Sequence, residues 1–282
     1  MSARAFEFFA SDGPLAFAHR GGAGEGPENT LPTFEAALAR GIRYLETDLR
    51  TSSDGHIVVF HDERLERTTN GHGLVSEHTL AELKRLDAGH WFSPDGVHFP
   101  ARGQGITIPT FEELVALSDD ARFNVEIKQA EPPMIEALWR MLSERGWVDR
   151  VLVAAERDAL VQAFRRVSGG RVATSAGRDE CLRFWLASRL GSERWTRPSY
   201  QALQIPVRVK GFRFLTSRLI EAAHRKGLHV HVWTIDEPSA MRELLALGVD
   251  GIMTDHPTRL LAVVSEYSTA ATPRGTHRAN GR

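Results

Sequence analysis

The sequence has a single cysteine, Cys181, in 282 residues. No internal disulfide can form, which excludes a disulfide-stapled scaffold and fits a reducing compartment. It also has almost no net charge, −1 from 35 basic and 36 acidic residues. That balance gives no electrostatic reason to expect a nucleic-acid partner or a strongly anionic membrane, although a local positive pocket for phosphate remains compatible with it. Also missing is any apolar run near the roughly 20 residues that a membrane-spanning helix needs. Met1 to Ser11 carries Glu7 among its phenylalanines, so neither a signal peptide nor a transmembrane segment is expected, and a cytoplasmic location is the default. There is no short repeat. Residues 268–282 are small, polar and basic without apolar periodicity, and are expected to form a disordered tail.

What the chain does contain begins with AHRGGAGEGPENT, from Ala18 to Thr30. Leu15 to Ala18 reads as a short buried strand ending in His19 and Arg20, and the glycines that follow let backbone approach a ligand closely before a helix starts near Thr30. Taken alone, such a segment is more often a strand-to-helix turn than a catalytic element, and the clusters downstream change that reading. The second cluster is Tyr44-Leu45-Glu46-Thr47-Asp48-Leu49, where strand alternation puts Glu46 and Asp48 on one face. Two adjacent carboxylates need screening water, a shared proton or a cation, and the apolar residues around them favour the cation.

Asp54-Gly55 lies between two strand-like runs and signals a two-residue hairpin. If Ser53 pairs with His56, the ladder brings Asp48 opposite His61, at the end of Ile57 to Phe60. The third cluster, Phe123 to Lys128, is a strand with Glu126 and Lys128 on one face. Three carboxylates, two histidines, an arginine and a lysine thus gather at strand ends, as a site for a metal and an anion together would require.

Eight strand-like runs, at 15–18, 44–49, 123–127, 151–154, 171–174, 202–205, 229–233 and 251–254, alternate with helical stretches such as 31–40, 134–145, 159–167, 217–226 and 239–247. The run at 57–60 is left out because a tight hairpin makes it antiparallel. The expected fold is an α/β (β/α)8 TIM barrel over residues 12–265, with a small insertion after the second barrel strand at about 62–110; a doubly wound α/β sheet is the alternative. The insertion should hold a helix at 80–86 behind Thr79, with Glu82 completing a capping box. Its Trp91 and Phe92 either line a substrate pocket or fasten the insertion to the barrel. Among His229, His231 and Trp233, on one face of a strand, Trp233 lies nearest the reactive end.

HRG with PENT, the ETD strand, FHD, VEIK, VWTID and GIMTD, in order from Leu15 to Pro257, resemble the glycerophosphodiester phosphodiesterase family. The resemblance implies that His19 and His61 are an acid–base pair, that Glu46, Asp48 and Glu126 ligate one divalent cation, and that Arg20 and Lys128 contact phosphate. Ligation by carboxylate oxygens alone implies Mg2+ or Ca2+ rather than a thiolate-bound zinc. The sequence departs from many members at Asp236, where asparagine follows the Trp-Thr pair. Gln204 stands at a strand end where the family varies. Both bear on substrate preference, and Gln204 with Trp233, Trp91 and Phe92 make up the expected pocket.

The implied reaction is metal-dependent hydrolysis of a small-molecule glycerophosphodiester to sn-glycerol 3-phosphate and an alcohol. A lysophospholipase D-like enzyme acting on acylated substrates would use the same site, with Trp91, Phe92 and Phe99 as its apolar groove. A sugar isomerase or aldolase barrel has no need for His19, Arg20 and Lys128 to converge on one anion. A phosphate-binding scaffold would be suggested by loss of a histidine, and both are present. The oligomeric state is left open.

Overall fold

The computed structural model describes residues 6–271, with backbone alone for 268–271. Its strands are β1 Leu15–Ala18, β2 Tyr44–Thr51, β3 Ile57–Val59, β4 Arg122–Ile127, β5 Val151–Ala154, β6 Ala173–Thr174, β7 Ala202–Pro206, β8 Arg208–Val209, β9 Phe212–Arg213, β10 His229–Trp233 and β11 Gly251–Thr254. Eight pair in parallel in the order β6-β5-β4-β2-β1-β11-β10-β7. The two ends of that row then meet: Ser175 bridges to Ala202, and the Ala176 N–H donates to the Ala202 carbonyl at 2.8 Å. The eight strands read from the sequence are these eight, and they make a nearly closed (β/α)8 barrel.

Helices between the strands cover the barrel by burying one stripe each. In Asp158–Ser168 the stripe is Val161, Phe164 and Ser168, spaced as helical periodicity requires. Burying each large apolar side chain there contributes about 1.5–3 kcal/mol. One helix, Arg178–Leu190, was not legible in the sequence, because Leu182, Leu186 and Leu190 stand exposed on it and blur the polar-outside pattern. The lumen is closed at the strand N-termini by the turn at Glu7–Phe9, where Phe8 packs edge-on to Tyr44 and Phe9 stacks on His229. Reactive groups are left to the opposite end, as in barrels generally. The last helix, Pro257–Ala271, covers residues 268–271, so the expected tail is helical there; residues 272–282 lie outside the described residues.

The hairpin between β2 and β3 differs from the expected one by one residue. Leu49 pairs with Val59 and Thr51 with Ile57, so Asp48 faces Phe60, whose N–H donates to the Asp48 carbonyl at 2.9 Å, and not His61. The loop has three residues rather than two: the Gly55 N–H bonds back to the Ser52 carbonyl, and Gly55 takes φ +85°. This is the turn that ends in a left-handed residue, for which Asp-Gly serves as well as for a two-residue turn.

The segment after β3 forms its own small core of Val58, Phe60, Leu65, Val75, Leu83 and Ile108. Thr79 and Glu82 form the expected capping box, but the helix is Leu80–Leu83 rather than 80–86. Beyond it, Arg85 and Leu86 N–H groups bond three residues back, tightening the chain into a turn.

Candidate active site

The parallel register sets the carboxylates. Asp48 on β2 is directly beside Glu126 on β4, and Glu46 is beside Asn124. Glu46 and Asp48 are buried, and one oxygen from each of Glu46, Asp48 and Glu126 lies within 4.8 Å of the others. Burial first, and then the charge of Asp48, push the Glu46 carboxyl up to about 7. Burial acts on Asp48 in the same sense, but the charges of Lys128, Arg20 and His61 and a hydrogen bond from Asn29 outweigh it and hold Asp48 below the usual range. Lys128 Nζ sits 2.8 Å from Glu126 and 3.2 Å from Asp48, a protein cation standing where these acids want positive charge. An all-oxygen donor set this tight, with one member driven toward protonation by burial and then by repulsion, fits a hard divalent cation.

His19 follows β1 and His61 follows β3. His19 Nδ1 lies 2.6 Å from Asp255 and His61 Nδ1 lies 2.5 Å from Asp62. In a neutral imidazole that donates from Nδ1, the lone pair is left on Nε2; His19 Nε2 lies 3.8 Å from Glu46. The two rings titrate apart. For His19, burial lowers the affinity for a proton but Glu46 and Asp255 outweigh it and raise the pKa; for His61, burial prevails over Asp48 and Asp62 and lowers it.

The loop that carries His19 is strained. Arg20 has φ +51°, rare for a residue with a side chain, followed by two left-handed glycines. A Cβ on Gly22 would meet the Pro257 ring at 2.8 Å. This path turns the Arg20 N–H onto Glu46 at 3.0 Å. The Arg20 guanidinium donates to Glu28 at 2.9 Å and its Nε is 3.4 Å from Asp48. Glu28 also accepts two bonds from Arg67, which reaches on to Asp62. A chain of ion pairs therefore runs from Arg20 through Glu28, Arg67 and Asp62 to His61.

A cavity of about 590 Å³ opens over this cluster, lined at its polar end by His19, Glu46, His61, Glu126 and Lys128. Gln204 and Trp233 are in its wall. Trp91 and Phe92 are not: Trp91 packs edge-on to Phe99 under the Arg102 guanidinium, within the insertion. The apolar side of the cavity is made instead by Leu182, Ile205, Pro206, Val209, Phe214 and Trp233.

Residues 19–259 match the model of the glycerophosphoryl diester phosphodiesterase family. The chain belongs to that family. A glycerophosphodiester phosphodiesterase of Caldanaerobacter subterraneus is 33% identical over 89% of this chain and 97% of its own length. A probable glycerophosphodiester phosphodiesterase of Mycobacterium tuberculosis is 32% identical over 92% and 93%. An Oleispira antarctica phosphodiesterase, solved in complex with the product sn-glycerol 3-phosphate, superposes with a TM-score of 0.70 at 26% identity, covering 89% of this chain and 97% of that one. This member of the family is accordingly a phosphoric diester hydrolase.

Several residues that hold the family's motif histidines and acids went unassigned in the sequence: Asn29, Glu28, Asp62, Arg67 and Asp255. Glu28 and Asn29 are the centre of PENT, Asp62 ends FHD and Asp255 ends GIMTD, so these four had a motif as their signal and lacked only the partner that the fold supplies, whereas Arg67 lies in none of the motifs.

Proposed function

We propose that this enzyme hydrolyses glycerophosphodiesters to sn-glycerol 3-phosphate and an alcohol, by proton transfer through His19 and His61 beside a Mg2+ or Ca2+ held by Glu46, Asp48 and Glu126. The observation that carries the reading is the convergence of both histidines, each braced at Nδ1 by an aspartate, on the cavity that Glu46 and Glu126 line, with Asp48 buried beside them. A phosphodiester anion repels a nucleophile, so its charge must be offset. Lys128 in the cavity wall and Arg20 behind it contribute that positive charge, Arg20 held in place by Glu28. One imidazole accepts the proton of the attacking hydroxyl and the other donates a proton to the departing alcohol oxygen, and the opposite shifts of His19, raised, and His61, lowered, set the two rings apart for these two roles. When bound, the cation supplies Lewis-acid stabilisation of charge on phosphoryl oxygen.

The substrate is a small molecule, and a cytoplasmic location belongs to the same reading. Among the described residues no helix is long and apolar enough to cross a membrane. A second reading, lysophospholipase D-like hydrolysis, is favoured by the apolar wall of Leu182, Val209, Phe214 and Trp233, which suits an acyl chain. The test is release of glycerol 3-phosphate from glycerophosphocholine, with EDTA, Mg2+ and Ca2+ compared and lysophosphatidylcholine run in parallel. Metal-dependent release is expected, abolished in His19→Ala and in His61→Ala with both variants still folded. Choline release from the acylated substrate alone would move the assignment to the second reading, and near-parental turnover in either variant would remove that histidine from the mechanism.

A further inference from the structure

Beside the cavity mouth the protein carries an apolar surface that its barrel does not need. On the Arg178–Leu190 helix the side facing the barrel is filled by Cys181, Phe184 and Ser188. Leu182, Leu186 and Leu190, four residues apart on the other side, are 46%, 46% and 79% exposed. They make a leucine stripe about 12 Å long. Leu182, at its upper end, lines the cavity together with Val209 of the β8–β9 hairpin. Phe212, across that hairpin from Val209, is half-exposed and packs edge-on to Trp185 of the same helix. Stripe, hairpin and cavity mouth are thus one continuous surface.

Its charge is as uneven as its polarity. Between positions 178 and 213 there are eight basic and three acidic residues, in a chain whose net charge is −1. Two of those acids, Glu180 and Glu193, are buried and paired with Arg165 and Arg225. Arg178 and Arg183 are matched by Glu156 and Asp158. Among the described residues, Arg189, Arg208, Lys210 and Arg213 face no carboxylate: Arg189 lies over the Trp185 ring, Arg208 donates to the Gly211 carbonyl in the hairpin turn, and Arg213 donates to the Leu215 carbonyl just after the hairpin. Exposed leucine and phenylalanine interleaved with unmatched cations is the composition of a surface that lies in a lipid headgroup layer, apolar groups dipping in and cations meeting anionic lipid.

We propose that the Arg178–Leu190 helix and the β8–β9 hairpin form a docking face for an anionic lipid bilayer, which sets the cavity mouth against the membrane surface. This goes beyond the hydrolysis proposed above and does not depend on it, since docking is read without turnover. The face also supplies a physical use for leucines that a helix covering a barrel would otherwise present as polar residues.

The experiment is sedimentation of the full chain with phosphatidylcholine vesicles, with and without phosphatidylglycerol. Binding is expected with phosphatidylglycerol and should weaken with added salt. Lys210→Gln and Arg189→Gln should each lower partitioning about fivefold, and Leu186→Ser with Leu190→Ser should reduce it further. None of these positions lines the cavity, so turnover of dispersed glycerophosphocholine should stay at the parental level, and loss of turnover in the parent would count against the hydrolysis alone. Equal binding to both vesicle types, no binding to either, or variants that bind like the parent would overturn the proposal. So would a dimer in solution that the two serine substitutions dissociate, because the face would then be covered by a second copy.

Discussion

His19 and Asp255 stand 236 positions apart and meet at 2.6 Å, Nδ1 to Oδ1, because β1 and β11 pair in parallel with Ala18 beside Thr254. The next residue of each strand is the histidine and the aspartate. The carboxylate fixes the ring orientation and the tautomer that turns Nε2 toward the cavity. Asp236 in turn holds the Asp255 backbone and the Thr254 hydroxyl at 2.9 Å each.

The first prediction is that Asp255→Asn lowers kcat with little change in KM. General acid–base catalysis is worth roughly 10²–10⁴-fold, and an amide can hold the imidazole in the wrong tautomer. Steady-state kinetics on a soluble diester, with the pH profile recorded, measures this. An unchanged kcat and profile would show that Asp255 only braces the loop.

Asn29 spends both ends of its amide on β2. Its Nδ2 donates to Asp48 at 2.9 Å and its Oδ1 accepts from Thr47 at 2.9 Å, with the residue buried and at φ +58°. Asparagine tolerates that left-handed conformation better than other side-chain-bearing residues. Asn29→Leu should cost about 1–3 kcal/mol by leaving a buried hydroxyl and carboxylate short of a partner. It should also weaken Mg2+ or Ca2+ binding roughly 10–100-fold by releasing Asp48. Thermal unfolding and calorimetric metal titration separate the two effects. Parental metal affinity in a folded Asn29→Leu protein would show that Asp48 is positioned by the strand alone.

The barrel was legible because its strands are continuous apolar runs at spacings a helix can fill, and the acids because a strand alternates: Glu46 and Asp48 had to share a face. The hairpin register was one residue off because Asp-Gly fits a loop of either two or three residues, and only packing of Val58 and Phe60 under the insertion chooses between them. The Arg178–Leu190 helix was missed because its leucines face outward. Trp91 and Phe92 were expected in the pocket, but the apolar wall comes from the other side of the barrel, where short strands β8 and β9 gave little periodicity to read. Asp62 stands next to His61 in sequence, but the long-range partners could not be assigned: Asp255 reaches His19 only when the barrel closes, and Glu28 reaches Arg67 only when the insertion folds back.

The third prediction concerns acid stability and rests on His231, fully buried in the lumen beside Phe17 and His229. Gln204 Nε2 donates to Asn124 at 2.8 Å and stands 3.2 Å from His231 Nδ1. An amide donor there demands a lone pair on Nδ1, and Nε2 has no partner. A proton on Nδ1 would face that donor, and burial, reinforced by His229, drives the pKa down to about 3. The ordinary value in the unfolded chain is about 6.5. Between those limits the unfolded state binds a proton that the native state refuses, so stability falls as pH falls from about 6.5 toward about 3, by at most about 1.4 kcal/mol per pH unit. In guanidinium unfolding between roughly pH 6.5 and 5, where Glu46, pushed up to about 7, contributes with the opposite sign in both proteins, the slope of stability against pH should be more positive in the parent than in His231→Gln, whatever the absolute stability of the variant. Parallel slopes would mean that the acid sensitivity arises from other groups and that His231 accepts its proton inside the barrel.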